Sequence, residues 1–128
     1  MKKIEKLPHE KEFLFYEKYI LILLEMGERE KANRLFTEIA EKISHQTISA
    51  DFKYEYTFLA YACTHENYKK DKEFARHLKK AYVYNQKTGN KYTRVLFLRN
   101  MLINCYRSQS QYKKMWSLIN FPENKVFN

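Results

Sequence analysis

Apolar residues recur at helical spacing along most of the chain, in segments that short polar stretches separate. The clearest case is a pair of such segments on either side of Gly27. The apolar positions are Tyr16, Tyr19, Ile20, Leu23 and Leu24 before the glycine, and Ala32, Leu35, Phe36, Ile39, Ala40 and Ile43 after it. Because glycine takes the left-handed conformation without a Cβ clash, Gly27 suits the end of a helix. The pattern predicts two amphipathic helices joined as a hairpin.

The same periodicity predicts six helices in an all-α fold. Their expected bounds are about 9–26, 28–43, 50–65, 69–86, 91–107 and 111–120. Pro8 suits the first turn of the first helix, and Pro122 is expected to end the regular structure and leave 122–128 as a tail. The helices pair into three hairpins, at about 9–44, 50–87 and 90–121, in a single domain over residues 1–128. With only two glycines and two prolines, the chain has little material for the turns of an all-β fold.

Charge is distributed unevenly along the chain. Residues 1–66 contain 10 Lys or Arg and 12 Asp or Glu, a net charge of −2, whereas residues 67–128 contain 14 and 3, a net charge of +11. The second half therefore carries the basic character of the whole chain, whose formal net charge is +9. A hydrophobic content of 45% excludes general disorder.

Membrane and secretory signals are absent from the sequence pattern. The apolar run Tyr19 to Leu24 covers six residues, far fewer than the roughly 20 residues of a membrane-spanning helix. Met1, Lys2 and Lys3 precede no apolar secretory segment. We therefore expect a cytoplasmic protein.

No constellation of residues indicates catalysis. The four histidines, His9, His45, His65 and His77, show no metal-ligand spacing. Two isolated glycines cannot form a Gly-rich phosphate loop. Cys63 and Cys105 lie inside apolar helical patterns, as buried free thiols do. We expect a protein that is not an enzyme and uses neither a cofactor nor a metal.

The turn of the first hairpin carries a family resemblance. It consists of Gly27-Glu28-Arg29-Glu30-Lys31-Ala32 with Phe36 one turn later, and Tyr68 and Tyr112 mark the corresponding turns at periods of about 39 and 44 residues. This arrangement resembles a degenerate tetratricopeptide repeat. The resemblance implies three antiparallel hairpins stacked as a short right-handed superhelix. Such variants form the peptide-sensing half of cytoplasmic quorum-sensing regulators in Gram-positive bacteria, so a regulatory bacterial protein is implied.

The resemblance also implies a binding groove. In this family the first helix of each hairpin lines the concave surface, which places the polar and aromatic contacts at Lys53, Tyr56, Phe97, Asn100, Asn104 and Arg107. Leu14, Leu21 and Leu24 of the first helix would form its apolar wall. Independently of the family, Asn100, Asn104 and Arg107 share one helical face, because their spacing is i, i+4, i+7. The asparagine amides can donate to and accept from a peptide backbone, and the arginine can form two hydrogen bonds with a carboxylate. These groups predict recognition of a peptide or protein segment.

Two other hypotheses follow from the remaining pattern. A basic patch along helix four would bind nucleic acid or an acidic protein surface, or simply be a solvated outer face. Its members are Lys69, Lys72, Arg76, Lys79 and Lys80. The apolar first helix, alternatively, would pair with a second copy as a homodimer or homo-oligomeric scaffold, because terminal repeats without a polar cap expose apolar surface.

Overall fold

The computed structural model describes residues 2–44, 52–89 and 92–127, and it confirms an all-α fold. These residues form six α-helices and one turn of 3-10 helix, with no strand among them. The helices are α1 (Lys2–Glu25), α2 (Arg29–Ser44), α3 (Lys53–Thr64), α4 (Lys72–Lys87), α5 (Tyr92–Ser108) and α6 (Tyr112–Phe127), and the 3-10 turn is Tyr68–Lys70.

The chain divides into two compact units, Met1–Ser49 and Ala50–Asn128. The first unit contains α1 packed on α2. Ile20 and Ala32 are completely buried within it, and Ile39 is nearly so. Lys42, near the end of α2, donates a 3.1 Å hydrogen bond to Glu12 of α1, as an antiparallel hairpin requires. That all 128 residues form a single domain stays a prediction.

The second unit contains α3 to α6, each packed on the next. Its core consists of side chains with no exposed surface: Phe58, Leu59, Phe74, Leu78, Leu98 and Leu102. Phe58 and Phe74 meet edge to face, with ring centroids 6.0 Å apart. The rings of Tyr54, at the start of α3, and Tyr84, near the end of α4, also meet. These two helices are therefore antiparallel, and burial of the apolar faces holds the unit together.

Two of the helix ends have the same geometry. Gly27 has φ of 79°, and the N–H groups of Gly27 and Glu28 donate back to the carbonyls of Leu24 and Leu23. This is a Schellman arrangement, and Gly27 has the left-handed conformation that the sequence predicted for it. After α5 the same pair of hydrogen bonds forms around Ser110, which has φ of 57°. A serine thus occupies the left-handed position that glycine occupies in the first hairpin.

Both predictions about proline were wrong. α1 begins at Lys2 and includes Pro8, and α6 continues past Pro122 to Phe127, so the predicted tail 122–128 is helical as far as Phe127. A proline inside a helix removes one backbone hydrogen bond, and its ring crowds the carbonyl four residues before it, at a cost of about 3 kcal/mol. Both helices nevertheless continue through the proline.

The start of α4 also differs from the prediction. Helix four was expected from about Lys69, but Tyr68–Lys70 form the 3-10 turn and α4 begins at Lys72. Asp71 caps it, because one carboxylate oxygen accepts the backbone N–H of Glu73 at 2.9 Å. The predicted start of helix three, near residue 50, lies outside the described residues.

Candidate functional site

The predicted polar residues of α5 lie on its exposed face. Asn100, Asn104 and Arg107 are all exposed, and Arg107 donates a 2.8 Å hydrogen bond from Nη2 to Oδ1 of Asn104. We call these three residues the α5 stripe. Because the Asn104 oxygen accepts from Arg107, the group that Asn104 offers to a ligand is mainly its N–H donors. The stripe is therefore a set of donors with one further amide, that of Asn100.

Hydrogen bonds anchor α5 at both ends to other parts of the second unit. Near its start, Arg94 Nη2 lies 3.0 Å from Glu55 Oε2 on α3. Just after its end, Gln109 Nε2 donates to the backbone carbonyls of Lys69 and Asp71, at 3.1 and 3.0 Å. The helix that carries the stripe is thus held at two points, which is the support that a binding surface needs.

The anchor at the start of α5 is a buried polar cluster. Glu55 and Asn85 have no exposed surface, and the Arg94 side chain is only 10% exposed. Asn85 donates 2.9 Å to the same Glu55 oxygen and 2.7 Å to the Ala81 carbonyl one turn back. The cluster therefore joins α3, α4 and α5 at one end of the unit. The second oxygen of Glu55, Oε1, is buried and makes no hydrogen bond within the described residues.

This cluster was not predicted from the sequence, although the chain contains a signal for it. Glu55 stands at i, i+4, i+7 with Leu59 and Ala62, so an acidic residue lies on an otherwise apolar face. Asn85 has the same relation to Leu78 and Ala81 on α4. A polar residue in line with a buried face needs a buried partner.

The other predicted groove residues have mixed positions. Lys53 is exposed in the first turn of α3, and Tyr56 and Phe97 are half-buried. The Arg94 guanidinium lies 5.6 Å from the centre of the Phe97 ring. The Glu55–Arg94 pair thus brings the start of α3, with Lys53 and Tyr56, close to the part of α5 that carries Phe97. The α5 stripe extends from there towards the other end of the unit.

Of the three leucines predicted to form the apolar wall of the groove, Leu14 is half-buried and the other two are covered. Leu21 and Leu24 of α1 are buried, with 8% and 9% of their surface exposed. Because their apolar surface is already covered, these leucines do not offer an open wall to a ligand. α1 instead exposes a different face.

The basic patch lies only partly on α4. Lys72, Arg76, Lys79 and Lys80 are exposed on that helix, and Lys69 is half-buried in the 3-10 turn before it. Arg76 forms a 2.6 Å ion pair with Glu73. One of the positive charges is therefore partly neutralised within the helix, as is usual on a solvated face.

A second cluster of titratable groups closes the turn between α3 and α4. Tyr61 donates a 2.7 Å hydrogen bond to Asp71, and the His65 ring stacks on Tyr61 with centroids 3.7 Å apart. The bond with Tyr61 lowers the pKa of Asp71 and raises the pKa of Tyr61 to about 12. The same Asp71 caps α4, so the cluster fixes the turn.

Neither this cluster nor the cysteines form a metal centre in the described residues. No group of three or more histidine, cysteine, aspartate or glutamate side chains is arranged there to hold a metal ion. Both cysteines are buried free thiols. Burial raises the pKa of the Cys105 thiol to about 12, so this side chain is a neutral thiol near pH 7.

Comparison with known proteins gives no assignment. No protein-family model, curated protein or solved structure matches the chain. None of the helices within the described ranges combines the length and apolar character that crossing a membrane requires.

Proposed function

We propose that this protein is a non-catalytic helical module that binds an extended peptide segment along α5. The observation that carries the proposal is the α5 stripe, an exposed row of hydrogen-bonding groups on a helix anchored at both ends. Binding groups on an anchored helix keep a fixed spacing, whereas those on a loop adapt to the ligand. The fixed spacing of the α5 stripe therefore suits a ligand of regular geometry.

The spacing of the stripe fits an extended backbone. Asn100 and Asn104 are four residues apart, so they lie about 6 Å apart along the helix axis. In an extended chain, groups on one side recur about every 6.6 Å. Two asparagines at this separation match successive carbonyl and N–H groups on the same edge of a bound peptide. The Asn100 amide can both donate and accept, and the Asn104 amide can donate, which allows recognition of backbone regardless of side chains.

Arg107 gives the proposed site a preference for acidic ligands. Its guanidinium has five N–H donors, and the bond to Asn104 uses one of them. The others suit a carboxylate, either of a side chain or of a peptide C-terminus. The net charge of +11 over residues 67–128 attracts an acidic segment to the same unit. A regulatory role rests on the tetratricopeptide resemblance and is part of the same proposal.

Nucleic-acid binding by the basic patch is the alternative. It predicts an affinity that falls steeply with salt and a slope that becomes shallower when Lys72, Arg76 and Lys79 are neutralised. The ion pair between Arg76 and Glu73 favours the peptide hypothesis, because it reduces the charge available to phosphates.

A double substitution tests the peptide site. Peptides of random sequence, immobilised with either a free or an amidated C-terminus, serve as the probe. Wild-type protein should select a subset of the peptides. The variant Asn100→Ala/Asn104→Ala should bind that subset about 10- to 30-fold more weakly, because each lost hydrogen bond costs about 1 kcal/mol of binding free energy. Arg107→Ala should lose the preference for acidic or free C-terminal peptides.

The matched control is Asn33→Ala/Thr37→Ala. These residues are an exposed polar pair at the same i, i+4 spacing on α2. The control should bind as wild type does, and circular dichroism should show native helix content in all variants. A folded double variant that keeps full affinity, or a wild-type protein that selects no peptide, would overturn the proposal.

A further inference from the structure

The first helix exposes a continuous apolar stripe. Phe15, Tyr19 and Ile22 of α1 are 64%, 44% and 55% exposed, and Met26, the first residue after the helix, is 67% exposed. They follow one another at spacings of four, three and four residues, the a and d pattern of a coiled-coil seam. The buried residues Phe13, Ile20 and Leu24 of the same segment lie on the opposite face. We call these four exposed residues the α1 stripe.

The α1 stripe is larger and more regular than the single exposed apolar residues that occur on most protein surfaces. Side chains of these types at these exposures leave on the order of 400 Å² of apolar surface in one patch. That size is typical of the largest patch on a monomer, which is often an interaction site. The rings of Phe15 and Tyr19 already contact each other edge to face, which preorders half of the patch.

We infer that the α1 stripe pairs with the α1 stripe of a second copy, in antiparallel orientation about a two-fold axis. In this register Tyr19 packs on Ile22 of the second copy, and Phe15 packs on Met26. The stripe is then fully matched, because its four residues are placed symmetrically about the midpoint between Tyr19 and Ile22. A two-fold interface of this kind is self-complementary and closed.

Charges beside the stripe favour the antiparallel orientation. Lys18 and Glu25 are exposed on the same edge of α1, seven residues apart. In the antiparallel register Lys18 of each copy lies beside Glu25 of the other, which gives two opposite-charge pairs by symmetry. In a parallel pair, Lys18 would face Leu23 of the other copy. Glu25 would face a residue of the other copy that follows Gly27 and lies beyond the end of α1. Flanking charges of this type set orientation in helical pairs.

The expected association is weak and reversible. Two copies of the stripe bury on the order of 800 Å² in total, below the 1,200–2,000 Å² of a standard stable interface. We therefore expect a dissociation constant on the order of 10 to 100 µM. This inference concerns the first unit and does not rest on the peptide site of α5.

Sedimentation equilibrium from about 1 to 500 µM, which spans the expected constant, tests the pairing. Wild-type protein should pass from monomer to dimer. Ile22→Glu, which places a charge at the centre of the seam, should weaken the dimer at least 10-fold, and so should Tyr19→Lys. Trp116→Glu is the matched control, because Trp116 is an equally exposed apolar residue (54%) on α6.

Charge exchange tests the orientation. Lys18→Glu should weaken the dimer, and the exchange Lys18→Glu/Glu25→Lys should restore it, because the opposite-charge pairs form again only in the antiparallel register. Monomer at every concentration would overturn the inference. So would a dimer that Trp116→Glu disrupts and Ile22→Glu does not, or one that the double exchange fails to restore.

Discussion

Glu55 and Arg94 form an ion pair across 39 residues of sequence, with Oε2 and Nη2 3.0 Å apart in a region where Glu55 has no exposed surface. A buried charge that loses its partner keeps its desolvation cost, so the pair matters most when one member is removed. Arg94→Met should therefore lower the free energy of unfolding by about 3–5 kcal/mol. Urea denaturation followed by circular dichroism measures the change.

The double variant Glu55→Gln/Arg94→Met distinguishes the cost of an unpaired buried charge from the cost of lost side-chain packing. It should recover most of the lost stability, because no buried charge remains. The control is Arg76→Met, which breaks the exposed pair with Glu73 and should cost less than about 1 kcal/mol. Equal effects of Arg94→Met and Arg76→Met would contradict the structural role given to the buried pair.

Gly27 and Ser110 occupy equivalent left-handed positions, and substitutions there should act in opposite directions. Gly27→Ala should destabilise the first unit by about 1 kcal/mol. No atom lies within 4 Å of the added Cβ, so backbone strain is the whole cause. Ser110→Gly should stabilise the second unit by about 0.5–1 kcal/mol, since it removes a similar strain.

Chemical denaturation of both variants provides the measurement, and hydrogen exchange locates the change. Protection should fall in α1 and α2 of Gly27→Ala and rise in α5 and α6 of Ser110→Gly. A destabilised Ser110→Gly protein would show that the entropy of the unfolded glycine exceeds the strain that the serine causes.

The bond between Tyr61 and Asp71 should make stability depend on pH at both extremes. It favours the ionised Asp71, whose pKa is lowered from its ordinary 3.8, and the neutral Tyr61, whose pKa is raised from 10.0 to about 12. The stabilisation from Asp71 is therefore present above pH 3.8 and is lost as the pH falls through the lowered pKa. That from Tyr61 is present below pH 10.0 and is lost as the pH rises towards about 12.

Tyr61→Phe tests this dependence. The variant should have a lower urea midpoint than wild type near neutral pH, and the two midpoints should converge in strong acid and strong alkali. Tyr112→Phe, at an exposed tyrosine of α6, should follow wild type throughout. A difference between Tyr61→Phe and wild type that stays constant with pH would show that packing alone is involved.

Local rules predicted the helices and the first turn, because these depend on residues close in sequence. Helical spacing gave the exposed face of the α5 stripe, and a single glycine gave the turn at Gly27. The start of α4 was missed since Lys69 and Lys70 continue a basic helical pattern, whereas Asp71, the cap, sets the boundary. Pro8 and Pro122 were wrongly predicted to mark helix ends, because a helix can continue past a proline in spite of its cost.

Interactions between distant segments could not be predicted in this way. The partner of Glu55 stands 39 residues away, and only the packing of α3, α4 and α5 brings it near. One regularity was available, however. Glu17, Ile20, Leu21 and Leu24 of α1 match Glu55, Phe58, Leu59 and Ala62 of α3 in spacing, and all eight are buried. A repeated glutamate on an apolar face indicates equivalent positions in the first two hairpins.

Neither of the two anchors of α5 should respond strongly to salt. The bonds from Gln109 are between neutral groups, and the Glu55–Arg94 pair is shielded from mobile ions by burial. The α5 stripe should therefore keep its geometry over a wide range of ionic strength. Salt should then weaken peptide binding by screening the attraction between the basic second unit and an acidic ligand, and not by changing the shape of the site.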